Sequence, residues 1–341
     1  MKDKIDLKGL PLEKLESYLV EIGQKSFRAK QLFKWIYQKD QSDFTEMTDL
    51  GLPFREYLDQ HATVSQISIE KVMKSTDRSR KYLFRLSDGN FIEAVLIPSS
   101  SRRTLCISSQ VGCPMGCAYC ATGKMGFIRN LTSAEIVDQL LKVTADYNPD
   151  KRITNIVFMG MGEPLLNYDN VIDAIKIFQS ENAFGFGSRK INLSTVGVVD
   201  KMRQLAETEL RVKLALSLCS TREEISSKFQ PNAKDIKSRV NALKYYSHRA
   251  TRWVTIEFVM MSGVNDNLKE ADGLLKIVKG EQIKINLIPF NSVSDIKYKP
   301  PTKDKMDHFL AYLLENNILA TIRHSRGEDI SGACGQLIPN N

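Results

Sequence analysis

The sequence predicts an α/β protein built on a parallel sheet, with a small helical region and a β extension in front of it. Three observations carry that expectation. From Leu105 onward, six strand-like runs are separated by helical stretches, and strands joined through helices form right-handed βαβ units. Ahead of them the apolar spacing is helical up to about Val64 and then turns strand-like. The chain has 341 residues, 42% hydrophobic and 26% charged, the balance of a globular protein with room for about two domains.

In PLEKLESYLVEIG, Leu12, Leu15, Leu19 and Ile22 share one face, and Pro11 sits where a helix starts. FRAKQLFKWIYQK gives a second helix, with Ala29, Leu32, Phe33 and Ile36 on its apolar side and Arg28, Lys30 and Lys34 on the other. KYLFRLSDGNFIEAVLIP reads as two strands around a Ser-Asp-Gly-Asn turn. The core strands are TLCISSQ, NIVFMGMG, KINLSTVG, VKLALSL, WVTIEFVMM and KINLIPF. Helices are expected at TSAEIVDQLLKVTADY, at YDNVIDAIKIFQSE, from Asp200, from Arg222 and at NDNLKEADGLLKIVKG; a last helix around KMDHFLAYLLENN precedes a strand at ATIRHS. The sheet is either an open doubly wound one or a curved partial barrel. In both, the chemistry belongs at the C-terminal ends of the strands. The expected division is 1–65 for a helical accessory domain, 66–104 for the β extension and 105–341 for the core.

Lys plus Arg number 48 against 40 Asp plus Glu, a net charge of +8, which permits a polyanionic partner without proving one. No stretch approaches the roughly 18 uninterrupted apolar residues of a membrane span. The opening residues are charged and lack the apolar run of an export signal, so a cytoplasmic setting is expected. Six cysteines in a chain this long do not make a disulfide scaffold.

Three of those cysteines, Cys113, Cys117 and Cys120, fall in the run Cys-Pro-Met-Gly-Cys-Ala-Tyr-Cys just after the first core strand. Three thiolates on one short loop can hold three corners of an iron–sulfur cube and leave the fourth iron open. An open coordination position is usually there to bind something that reacts. A structural zinc site would need a fourth Cys or His at short spacing, and the nearest histidines are His61 and His248.

The CxxxCxxC loop after the first strand of a six-fold βα repeat resembles the radical S-adenosylmethionine (SAM) superfamily. The segments CISSQVGC, CATGKMGFIRNLT, FMGMGEPLLN, STVGVV, NLIPFN and ACGQL are similar, in order and spacing, to the RlmN/Cfr rRNA methyltransferases, from about Phe27 to the C-terminus. The resemblance implies a partial (βα)6 barrel with an N-terminal accessory domain. It also implies a [4Fe-4S] cluster on Cys113, Cys117 and Cys120, with SAM chelated by the open iron and two SAM molecules used per turnover. The implied target is an adenine ring carbon of RNA, which is electron-poor and offers no acidic proton, so radical chemistry is what the cofactor brings. The Pro of Gly-Glu-Pro and Val111 resemble the RlmN branch, which acts at carbon 2 of adenosine in 23S rRNA and tRNA; the Cfr branch, acting at carbon 8, tends to Ala and Cys there.

The resemblance assigns further roles. Gly162 and Glu163 would bind the SAM amino group, Ser194 and Ser217 its ribose or carboxylate, and Asn291 its adenine side. Cys334, in ACGQL, aligns with the family's methyl-carrying cysteine, and Cys106 with the cysteine that resolves the protein–RNA adduct through a disulfide. Glu93 aligns with the proton acceptor. One departure stands out: Ser217-Leu218-Cys219 occupies the place of the family's usual Ser-Leu-His, and Leu218 and Cys219 are kept among the expected SAM residues. Expected partners are 23S rRNA, tRNA and a one-electron donor such as flavodoxin, with no membrane and a monomeric chain. Arg28, Lys30, Lys34, Arg102, Arg103, Lys124 and Arg129 are the candidate phosphate contacts. A non-catalytic iron–sulfur RNA-binding or redox protein is the competing class, supported by the Ser-Leu-Cys departure. A glycyl-radical activase is a third, opposed by the terminal ACGQL cysteine.

Overall fold

The structure, a computed structural model, describes residues 4–147, 152–293 and 296–339; the outermost residues of the expected first and last domains lie outside it. The chain opens with a short strand β1 (Ile5–Asp6), then α1 (Leu12–Glu21) and α2 (Phe27–Phe33), which continues as a widened π turn through Gln38. α1 and α2 bury the stripe that their spacing marks: Leu15, Leu19, Ala29, Leu32, Phe33 and Ile36. A third helix, α3 (Leu52–His61), follows and leads into β2 (Ala62–Thr63), which pairs in parallel with β1. α3 was not expected, because it buries only Phe54 and Leu58 and so carries little periodic signal. The region is fastened to the rest by a buried ion pair, Lys8 Nζ to Asp138 at 2.6 Å.

Three antiparallel strands follow: β3 (Ser68–Lys74), β4 (Arg80–Arg85) and β5 (Phe91–Pro98). β3 was also not expected. It is an edge strand whose residues are exposed or half-buried, with Glu70, Lys71 and Lys74 interrupting it, so no apolar run announces it. β5 pairs with β6 (Arg103–Cys106), the first strand of the core. The expected strand TLCISSQ ends at Cys106; Gln110 belongs to a separate hairpin of β7 (Gln110–Gly112) and β8 (Phe127–Asn130), with the short helix α4 (Ala121–Met125) between them.

The core then runs through α5 (Ser133–Tyr147), β9 (Asn155–Phe158), α6 (Tyr168–Gln179), β10 (Ile191–Thr195), α7 (Val199–Ala206) and β11 (Lys213–Leu218). It continues through α8 (Glu223–Phe229), α9 (Ile236–Ala250), β12 (Val254–Met260), α10 (Leu268–Val278), β13 (Ile283–Pro289), α11 (Lys303–Glu315) and β14 (Ala320–Ile322). The parallel strands lie side by side in chain order from β6 to β14, and β5, β4 and β3 extend the same sheet beyond β6.

Alternation along each strand sorts its two faces. Leu105, Ile156, Leu193, Leu214, Ile256 and Leu287 are fully or almost fully buried in the hydrophobic core. Many of the intervening residues are polar, and they meet: Cys106, Asn192, Lys213, Glu257, Asn286 and Arg323 line one cavity, with Val157 and Ile288 among them. Residues of β6 and of the segment after β14, at opposite ends of the parallel set, share that cavity because the sheet curls. This decides for the partial barrel over the open sheet.

Candidate active site

The three-thiol loop joins β7 to α4. Gly112 turns the chain into it with φ +74°, and a Cβ there would stand 1.9 Å from Gly126 O, so only glycine fits. Cys113 N donates to that same oxygen at 2.8 Å, and Ala118 N donates to Phe229 O at 2.9 Å. Burial pushes the Cys113 thiol up to about 12. It raises Cys117 well above the usual thiol range too, with the neighbouring Cys120 and Cys113 adding to the shift. Three thiols crowded where none gains by ionising alone fit a cationic group, which would reverse that balance. Among the described residues, no three His, Cys, Asp or Glu close around a single metal ion. Three thiols on one loop are a donor set that fits a three-point attachment for an iron–sulfur cluster.

A cavity of about 150 Å³ brings this loop together with Gly162, Glu163, Ser194, Ser217 and Asn291. These residues come from loops and strand ends at the C-terminal edge of the barrel. Gly162 has φ +102°, and a Cβ would meet Gln110 Cβ at 2.6 Å. Glu163 is buried, and its two carboxylate oxygens accept from Leu165 N (3.0 Å) and Val196 N (2.8 Å). Burial lifts its carboxyl to about 7, opposed mainly by the Val196 N–H. Each oxygen retains a lone pair for an ammonium. Ser194 Oγ and Ser217 Oγ lie 3.1 Å apart on adjacent strands. Asn291 Nδ2 donates to Cys334 O at 2.9 Å, and its Oδ1 accepts from Ser325 Oγ.

A second cavity of about 400 Å³ fills the barrel lumen and is lined by Cys106 and Cys334. Cys334 lines both cavities, as do Met159, Glu257, Ile288 and Arg323. All six cysteines are free. Burial pushes the Cys106 thiol up to about 12, Cys334 adds to the shift, and Arg323 opposes it. The tail that carries Cys334 is tied down along its length. Ala121 N donates to Gly335 O (2.7 Å), Thr122 Oγ1 to Leu337 O (2.6 Å) and Gln336 Nε2 to Ser292 O (2.7 Å).

Glu93 lies on β5 two residues from Val95, which pairs with Cys106, so its side chain shares the concave face. It lines neither cavity. Its Oε1 is 2.9 Å from Lys81 Nζ, and its Oε2 accepts from Ile338 N at 3.0 Å, so the tail covers it.

Three of the expected contact residues have surroundings of their own. Leu218 and Cys219 do not line the SAM-side cavity. Ser217 faces it, so Leu218 points to the opposite face by strand alternation and joins the hydrophobic core. Cys219 is fully buried among Met115, Cys117, Tyr119, Phe229 and Phe290, behind the loop. Arg129, an expected phosphate contact, has its guanidinium on Asp88 at 2.6 Å and on both Glu135 oxygens at 2.8 Å. Sequence reasoning missed Lys81, Glu257 and Arg323. A signal for Glu257 was present in the polar–apolar alternation of VTIEFVM, which departs from the continuous apolar runs of a parallel sheet covered on both faces.

Comparison with known proteins agrees with this architecture. Residues 5–64 match the family described as "Ribosomal RNA large subunit methyltransferase N-terminal domain", and residues 107–275 match the "Radical SAM superfamily". A "Dual-specificity RNA methyltransferase RlmN" from Geotalea uraniireducens is 45% identical over 98% of this chain and 97% of its own length. A "Probable dual-specificity RNA methyltransferase RlmN" from Clostridioides difficile is 44% identical over 98% of each chain. The crystal structure of a radical SAM methyltransferase from Sphaerobacter thermophilus superposes with a TM-score of 0.91, at 36% identity over 98% of this chain and 99% of that one. With three free thiols on the loop after the first barrel strand and full-length kinship to these proteins, the chain belongs to the RlmN family of radical SAM RNA methyltransferases.

Proposed function

We propose that the chain methylates carbon 2 of an adenosine in RNA, with 23S rRNA and tRNA as substrates, through a methylated cysteine. The observation that best supports this is the position of Cys334, at the boundary between the three-thiol cavity and the lumen that holds Cys106. When bound, a [4Fe-4S] cluster on Cys113, Cys117 and Cys120, together with two SAM molecules per turnover, supplies a transferable methyl group and a carbon radical.

The chain's own residues do the rest. Gly162, Glu163, Ser194, Ser217 and Asn291 orient SAM, and Glu163 accepts hydrogen bonds from its ammonium. Cys334 takes the methyl group on sulfur and presents it to the lumen, its carbonyl held by Asn291 Nδ2. After the carbon is joined to adenine, Cys106 attacks the Cys334 sulfur. An S–S bond forms as the S–C bond breaks, the carbon keeps the electron pair and takes a proton to become the methyl group, and a thiol reductant later returns both cysteines to thiols. Glu93 receives the proton from the ring carbon, which requires the tail to release the Ile338 N–H from its carboxylate. Lys81 favours the ionised form that can accept it.

Residues 1–65 serve as the RNA-binding accessory domain, a flavodoxin-type protein supplies single electrons, and the chain works as a monomer in the cytoplasm. Among the described residues no helix is long and apolar enough to cross a membrane. Mass spectrometry of adenosines from RNA incubated with anaerobically reconstituted protein tests the reading. The expected product is 2-methyladenosine; 8-methyladenosine would move the target to carbon 8, and SAM cleavage with unmodified RNA would overturn the reading.

A further inference from the structure

The lumen has a second mouth, at the N-terminal ends of the strands. Arg102 ahead of β6, Arg189 and Lys190 ahead of β10, Lys213 at the start of β11 and Lys284 near the start of β13 surround it. All five are exposed, and among the described residues none makes an ion pair. They are close enough to repel one another: the Lys213 ammonium is held below its ordinary value by the partial desolvation of its charged end and then by Lys284, Lys190, Arg102 and Arg252. Like charges gathered this way weaken the folded state, and a polyanion relieves them.

Behind the rim the lumen wall mixes apolar residues such as Ile97, Val157 and Ile288 with polar ones. Asn155, Asn192 and Asn286 line it, and Glu257 is the only carboxylate that does so among the described residues. Glu257 accepts from Asn286 Nδ2 at 3.0 Å and lies 3.7 Å from Arg323. Its Oε2, the oxygen that faces Arg323, is buried with no hydrogen bond of its own and leaves acceptor capacity in the lumen wall. The strands place Cys106 two residues in from Thr104 and Ile288 four residues in from Lys284. At ~3.3 Å per residue these depths are about 7 and about 13 Å, within reach of a nucleotide extruded from its strand.

We infer that RNA docks on this N-terminal mouth. Its phosphates sit on Arg102, Lys190, Lys213 and Lys284, and the target nucleotide enters the lumen from this side to meet Cys334 opposite the SAM-side cavity. The inference rests on the RNA-methylation reading and adds the face that the RNA uses.

The test compares two variants of the full chain: Arg102→Gln with Lys190→Gln, Lys213→Gln and Lys284→Gln, against Arg28→Gln with Lys30→Gln and Lys34→Gln. An unmodified tRNA transcript is titrated at a series of salt concentrations. Each lost phosphate contact lowers the slope of log K against log salt by about 0.7–0.9. The rim variant should therefore lose about 3 in slope and bind at least about tenfold more weakly at low salt. If it misfolds, single Lys213→Gln and Lys284→Gln variants should each lower the slope by about 0.7–0.9. Wild-type protein that methylates RNA while the rim variants keep their slope and affinity would overturn the docking face alone. Wild-type protein that neither binds nor methylates RNA would overturn the methylation reading.

Discussion

Replacing Lys81 by methionine tests how a buried carboxylate is kept ready to accept a proton. Glu93 sits opposite Leu83 across the β4–β5 pair, so Lys81 is its diagonal neighbour on the same face. Both side chains are nearly inaccessible, 7% for Lys81 and 2% for Glu93, and their charges are 2.9 Å apart. Burial raises the Glu93 carboxyl, and Lys81 opposes it by hydrogen bond and charge. In Lys81→Met only the Ile338 N–H remains on that carboxylate, so its pKa climbs further and more of the base is neutral at any given pH. Removing one member of a buried pair costs about 3–5 kcal/mol. At about 2.1 cal/mol/K per residue, the unfolding entropy of 341 residues is roughly 0.7 kcal/mol/K, and the Tm should fall by about 4–7 °C. Adding Glu93→Leu removes the orphaned charge and should recover most of the lost stability, yet it should leave methylation dead. Circular dichroism melts of the three proteins, and pH–rate profiles of the wild type and Lys81→Met, under one reconstitution protocol, carry the measurement. The single variant should show an acid limb displaced to higher pH. A Lys81→Met protein with wild-type Tm and an undisplaced limb would refute the coupling between the two side chains.

Other expectations follow from the same geometry. Gly112→Ala drives a Cβ to 1.9 Å from Gly126 O, so the purified variant should hold little iron by elemental analysis even where it stays folded. Cys334→Ala should stop before RNA is touched, whereas Cys106→Ala should stall with RNA covalently attached to Cys334; a denaturing gel separates the two, and normal turnover by Cys106→Ala would remove its assigned role. Cys219 does not line the SAM-side cavity, so Cys219→Ala should change SAM affinity, measured by equilibrium dialysis, by less than about tenfold, or about 1.4 kcal/mol. Glu163 binds its proton more tightly folded than unfolded, with a pKa lifted from 4.5 to about 7. Its contribution to the stability of the cofactor-free protein is therefore present below about pH 4.5 and lost as pH rises through about 7. Glu163→Gln should flatten that stretch of the curve in urea titrations, and an unchanged slope would count against the shift.

Local information carried much of this protein. The stripes of α1 and α2 are exposed in PLEKLESYLVEIG and FRAKQLFKWIYQK because a helix needs only short-range periodicity to define its buried face. The short spacing of Cys113, Cys117 and Cys120 marks a ligand loop for the same reason: three donors on one turn need no help from distant sequence. β3 and α3 escaped because an exposed edge strand and a helix with two buried residues leave almost no apolar pattern. That Leu218 and Cys219 lie off the cavity wall that Ser217 lines was not legible, because a motif names neighbours in sequence, while a strand sends neighbours to opposite faces.

The alternation of core strands and helices, the three-thiol loop and the family resemblance are all legible in short windows of the chain. The tertiary structure decided which side chains share a space. Cys106 and Cys334 stand 228 positions apart, and no local window relates them. They line one lumen because the parallel strands curl and the tail is tied across them by Ala121, Thr122 and Asn291. The basic rim arises in the same way, from residues at or just ahead of separate strand starts that the common register of the sheet brings to one edge. Register and curl are long-range properties, set by the packing of every strand against its neighbours and the helices behind them, so the lumen exists only once the whole sheet has closed.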